Sequence, residues 1–131
     1  MYNCRPVSTP IDQKTSLVKA SNSDLVCEQN LYQRMIGSLM YLVTCTCPDL
    51  AFSASYLTRF PSHALERHQT AVKRVFCYLA GTRSMSLKYN RSPTSVPFSI
   101  ITFSNSVYAS CRDTRRSVSG YAFMLNGCTI S

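Results

Sequence analysis

The stretch FSNSVYASCRDTRRSVSGYAF, residues 103–123, gathers the side chains best suited to chemistry: Arg112, Arg115 and Arg116 around Asp113, its one carboxylate. Guanidinium groups this close in sequence suit a phosphate, because each presents planar, paired donors to its oxygens. Transfer or hydrolysis of a phosphodiester asks for more, a set of carboxylates able to hold two metal ions. A single Asp cannot form that set. Ser117, Ser119 and Tyr121 alternate as on a strand, and no His stands near them in sequence to activate a serine nucleophile. The pattern predicts a strand, a basic turn and a second strand.

Other reactive side chains are scattered. The seven cysteines are Cys4, Cys27, Cys45, Cys47, Cys77, Cys111 and Cys128, and the one close pair, Cys45 and Cys47, is C-x-C rather than C-x-x-C. That is no zinc pattern. His63 and His68 stand five apart, not at the i, i+4 spacing that would aim both at one metal. No metal site is expected. The chain does not begin with a basic segment followed by an apolar one, so free thiols in a reducing, intracellular compartment are expected. The apolar run around Ile36 to Val43 is too short and interrupted to span a bilayer, and no membrane partner is expected.

Charge narrows the partners. The chain has 131 residues, 45% of them hydrophobic, which is enough for a core, and its 14 Lys and Arg against 6 Asp and Glu give a net charge of +8. Such an excess favours polyanions through a salt-dependent term and specifies no reaction. Residues 1–29 carry three charges of each sign, residues 30–82 five positive and two negative, and residues 83–131 six positive and one negative. The excess therefore grows toward the basic turn.

The elements follow from periodicity. Residues 1–29 mix Pro, Ser, Thr and charges without sustained period and read as an extended arm with no regular core. Leu31, Met35, Ile36, Leu39, Leu42 and Val43 recur at helical spacing, with Gly37 the weak point. A second helix is expected from Pro48 to Phe60, with Thr46 or Cys47 as N-cap and Asp49 near the positive end of its dipole. A third, of about 16 residues, takes Ser62 as cap, buries Leu65, Val72, Val75, Phe76 and Leu79, and ends at Gly81. Lys73 and Arg74 then fall on its opposite, solvated face. Tyr32, Tyr41, Tyr56, Tyr78, Phe52, Phe60 and Phe76 sit at helical spacing, which favours core packing over base stacking. Beyond Gly81 the period becomes two: SLKYN as a short strand, SPTSVP as a loop, FSIITFS and SVSGYAFML as strands, and Asn126-Gly127 as a hairpin turn into CTIS. An ending inside a return strand leaves an unpaired edge, so a fragment of a larger domain is expected.

Five segments in order, CRPVSTPID, YQRMIGSLMYL, CPDLAFSASYLTRF, HQTAVKRVFCYLAGT and DTRRSVSGYAFMLNG, resemble the Ty1/copia-type retrotransposon polyprotein. The resemblant region runs from the end of the reverse transcriptase through connecting helices into the ribonuclease H domain. It implies an α+β fold: an arm over 1–29, a three-helix connection over 30–82, and over 83–131 the first two or three antiparallel strands of a truncated ribonuclease H-like fold. The family's Tyr-x-Asp-Asp polymerase box has no counterpart here. In the family's ribonuclease H strand a Tyr-Ser-Asp-x-Asp block precedes DTRRSxSGY, and aligned back from Gly120 its two aspartates fall on Asn105 and Val107. The intact family uses magnesium, and with these carboxylates replaced no cofactor is expected. The family usually has Arg at Cys47 and Cys77, and those changes suit a decaying copy better than acquired thiol chemistry.

Two readings of function follow. In one, the chain is an inactive piece of a reverse transcriptase and ribonuclease H polyprotein, retaining weak, non-specific contact with RNA, DNA or RNA–DNA hybrid through Arg112, Arg115, Arg116, Lys73 and Arg74. In the other it is a retained small basic module that binds nucleic acid or protein. Self-association through the β-prone runs FSIITF and YAFML is expected in the first case, whereas the second predicts an ordered, compact monomer.

Overall fold

The structure, a computed structural model, describes residues 4–12, 15, 17–19, 25–89 and 99–130. Its fold is α+β, and the chain divides into two compact units, Met1–Ser84 and Met85–Ser131. The expected SPTSVP loop lies outside the described residues.

In the first unit, helix α1 (Gln29–Cys45) buries Tyr32 and Leu39, with Met35, Ile36 and Val43 packed alongside. Leu31 departs from the expected stripe and is exposed, while Tyr32 lies in the core as its spacing favoured. Its phenol can go inside because the hydroxyl donates to the Leu57 carbonyl at 2.7 Å. The expected second helix is a 3-10 turn at Pro48–Leu50 running into a short α2 (Ala51–Leu57). Cys47 is its N-cap residue by position but makes no side-chain cap bond. Helix α3 (Glu66–Gly81) starts later than Ser62. His68 replaces the expected serine cap: its Nδ1 accepts from the Leu65 N–H at 2.9 Å, and the His68 N–H donates to the Leu65 carbonyl at 2.9 Å.

Leu50, Leu57, Val72 and Val75 meet in the middle of these helices, fully buried, each stabilising the unit by roughly 1.5–3 kcal/mol. The arm is part of this core, which its aperiodic sequence did not indicate. Leu17 and Cys27 are buried in it, Ile11 packs against the cluster, and Val26 forms an antiparallel bridge with Leu65. The Gln29 carboxamide fixes the junction, donating to the Ala64 carbonyl at 2.9 Å and accepting from its N–H at 3.2 Å. Of the helical aromatics, Tyr32 and Phe60 are core, Tyr56, Phe76 and Tyr78 are half-buried, and Tyr41 and Phe52 are exposed. Among the described residues no helix is long and apolar enough to cross a membrane.

The second unit is a three-stranded antiparallel sheet in the order β1 (Ile100–Val107), β2 (Val118–Leu125), β3 (Cys128–Thr129). Asn126 and Gly127 join β2 to β3 with φ of 48° and 82°, the left-handed pair that a tight hairpin demands. SLKYN forms no strand over its described residues 86–89. The Tyr89 hydroxyl instead donates to the Thr129 carbonyl at 2.9 Å.

Candidate functional site

The β1–β2 register is unbroken from Ile100 opposite Leu125 to Val107 opposite Val118. The ten residues between these strands are the basic turn. Two backbone bonds pinch its neck, the Cys111 N–H to the Arg116 carbonyl at 3.1 Å and the Arg115 N–H to the Cys111 carbonyl at 2.8 Å. The Ser117 hydroxyl accepts from the Ala109 N–H at 3.2 Å. The chain closes on itself partly by placing Arg115 at φ 54°, in the left-handed region. Arg112, Arg115 and Arg116 are all exposed on this one turn.

Asn105 pairs with Gly120, and Val107 with Val118, two places apart on β1 and so on one face of the strand. This is where two carboxylates would point together. Asn105 offers a neutral carboxamide and Val107 no ligand at all, and the intervening Ser106 only a hydroxyl. Magnesium binds through anionic oxygens at near-octahedral geometry, so the residues present do not fit it. Among the described residues no three His, Cys, Asp or Glu side chains are arranged to hold a metal ion.

Lys73 and Arg74 belong to the other unit, on α3. Lys73 is exposed, its ammonium donating to Gln69 Oε1 at 3.3 Å. Arg74 departs from its expected solvated position: it is half-buried, and Nη2 donates to the Thr9 hydroxyl at 3.0 Å. Arg67 acts similarly, its Nη2 reaching the carbonyls of Val18 at 3.3 Å and Lys19 at 3.4 Å. Two arginines of α3 thus hold the arm, a role invisible to spacing rules because their partners lie 48 to 65 residues away. The thiols follow the same pattern. Cys77 hydrogen-bonds Cys4, and that bond together with burial pushes its pKa upward, away from nucleophilic thiolate character. His68 is buried against Phe60 with ring centroids 4.2 Å apart, and His63 is exposed.

No family model and no solved structure matches the chain. It is 33% identical over its whole length to the retrovirus-related Pol polyprotein from transposon TNT 1-94 of Nicotiana tabacum, and 30% identical to that from transposon RE1 of Arabidopsis thaliana. It spans 10% and 9% of those two proteins' lengths. It is also 37% identical over 100 residues to a protein named secreted RxLR effector protein 161 of Plasmopara viticola, of which the match covers 68%. The ordered sequence blocks and a likeness to these polyproteins that runs the whole length of this chain agree: the chain belongs to the Ty1/copia-type retrotransposon Pol polyprotein family.

Proposed function

We propose that this stretch of Pol polyprotein, on its own, performs no catalysis and contacts the sugar-phosphate backbone of RNA, DNA or RNA–DNA hybrid without sequence preference. The sheet then corresponds to the opening strands of a ribonuclease H-like fold. One observation carries the reading: β1 runs from two positions without carboxylates, Asn105 and Val107, directly into an exposed turn bearing three arginines. The strand has lost the groups that would act on a phosphodiester and kept those that would hold one. Guanidinium groups on a turn reach phosphate oxygens, whereas base reading needs an element shaped to enter a groove. Lys73 is a second candidate contact. Arg74 is left out, since its guanidinium is engaged by Thr9.

The test is titration of fluorescent hybrid and duplex of unrelated sequences across a salt series. Affinity should fall linearly with salt on logarithmic axes and be equal for all sequences. Replacing Arg112, Arg115 and Arg116 by Gln should lower the slope by roughly 0.9 per phosphate contact removed. A dissociation constant unmoved by salt would defeat the binding account, and chelator-sensitive cleavage proportional to protein would defeat the other half.

A second reading, a small basic interaction module, is favoured by one finding: the shared stretch makes up 68% of the Plasmopara viticola protein, so it also occurs outside a long polyprotein. Tight binding of one protein partner with salt-insensitive affinity would select that reading.

A further inference from the structure

β1 is the outer strand of the sheet, and all eight of its residues are exposed. Proteins protect such edges with charge, proline, bulges or short length. IITFSNSV has no charge and no proline, and its register against β2 is continuous, without a bulge. On the opposite side, β3 has two residues and pairs only with Met124 and Leu125 of β2, whose burial along Val118–Leu125 is partial, whereas β1 is exposed along its whole length.

The direction of the free peptide groups follows from the bonds at the end of the ladder. Asn126 N–H donates to the Ser99 carbonyl at 3.0 Å, and Ser99 N–H donates to Asn126 Oδ1 at 3.1 Å, so Ser99 turns both its backbone groups toward β2. On β2, Phe123 turns the other way, its carbonyl accepting from the Ile130 N–H at 2.9 Å. Backbone direction alternates along an antiparallel strand. Ile101, Phe103, Asn105 and Val107 therefore bond β2, and Ile100, Thr102, Ser104 and Ser106 present their N–H and C=O groups outward.

We propose that β1 pairs antiparallel with β1 of a second copy of this chain, about a two-fold axis at Phe103, to form a closed dimer with a continuous six-stranded sheet. This register matches all four outward residues: Ile100 with Ser106 and Thr102 with Ser104, each way across the axis. A shift of two residues either way pairs only three of them within the strand. Phe103 then faces its copy in a non-hydrogen-bonded pair, the position where side chains approach most closely. Phe103 and Ile101, exposed in the single chain, are covered by this contact. Charge selects the orientation. A parallel pair would set the two arginine turns side by side, whereas the antiparallel pair separates them by the length of β1, about 27 Å, beyond a Debye length of about 8 Å. A two-fold contact uses the same strand of both copies, so each β1 edge is consumed once and the contact closes at two. The pairing is independent of the nucleic-acid reading.

The nuclease-treated 131-residue chain in 0.3 M salt, roughly where bridging by residual polyanion is screened, provides the test. Sedimentation equilibrium should give twice the 14.7 kDa chain mass at high concentration and one chain mass on dilution. Across the same range, amide exchange at Ile100, Thr102, Ser104 and Ser106 should slow at least about tenfold, while Ile101, Phe103 and Asn105 change little. Thr102→Pro removes an outward N–H that β2 does not use and should weaken the dimer about a hundredfold or more. A single chain mass at every concentration, growth past two, slowing at residues outside the even set, or an intact dimer of T102P would each overturn the proposal. If T102P does not fold, the exchange pattern of the unaltered protein decides: alternation along β1 supports the dimer, and its absence refutes it.

Discussion

The phenol of Tyr32 on α1 donates to the main-chain carbonyl of Leu57 at the end of α2, 2.7 Å away and fully buried. Burial holds the Tyr32 pKa well above the usual phenol value of 10.0. The unfolded chain releases this proton near pH 10 while the folded chain keeps it, so stability is present below that pH and is lost as pH rises past it. Cys27, also raised by burial from 9.0, adds to the same slope. Thermal melts should be level from about pH 7 to 8.5 and fall above about pH 9.5. Tyr32→Phe should cost about 1–3 kcal/mol by leaving the Leu57 carbonyl without its donor, and should flatten the alkaline fall. A variant with unchanged slope would contradict this account.

Two helical glycines should respond oppositely to the same substitution. A Cβ on Gly37 meets nothing within 4 Å, so Gly37→Ala gains only helix propensity and should stabilise by about 0.5–1 kcal/mol. A Cβ on Gly81 would lie 3.0 Å from the Pro6 Cβ, where the arm crosses the end of α3. Gly81→Ala should gain nothing and should loosen the arm. Proteolysis near residues 4–12 should quicken in G81A and not in G37A. Equal stabilisation by both would mean that the arm does not press on α3.

Arg115 couples strain to charge. Its φ of 54° costs energy for a side chain with a Cβ and none for glycine. Arg115→Gly should therefore raise the melting temperature of the sheet while weakening polyanion binding, and Arg112→Gln should weaken binding with no gain in stability. Melts followed by the NMR signals of the Tyr121 and Tyr108 amides, set beside salt titrations, separate the two effects. R115G that binds as tightly as the unaltered protein would remove Arg115 from the contact.

Local patterns in the sequence reach local structure, and contacts distant in sequence account for the differences. Val72 and Val75 on α3 are core as their spacing requires, and Asn126-Gly127 makes the hairpin its conformational preferences specify. Leu31 departs from its expected place in the core and is exposed, while Tyr32 goes inside as its spacing favoured, its phenol satisfied by the Leu57 carbonyl 25 residues on. Leu17 and Cys27 join the core through an arm with no period of its own, held by Arg67, Arg74 and Gln29. The basic turn was legible because its arginines are neighbours in sequence. Arg74 was not, since its partner Thr9 is 65 residues away.

Placing carboxylates at Asn105 and Val107 should not create a reaction. Asn105→Asp with Val107→Asp would set two charges on one face of an exposed strand, two residues apart and opposite Gly120 and Val118, neither of which carries a ligand. Two like charges so placed repel, and magnesium held by two carboxylates still needs further anionic ligands to order a nucleophile against a phosphate. The double variant should show no cleavage of RNA–DNA hybrid with magnesium or manganese above a protein-free blank. It should also melt lower, by about 1 kcal/mol for the loss of the β-branched Val107, and bind hybrid more weakly beside the added negative charge. Chelator-sensitive cleavage by this variant would show that other residues complete a metal site, and the backbone-contact reading would then have to yield to a catalytic one.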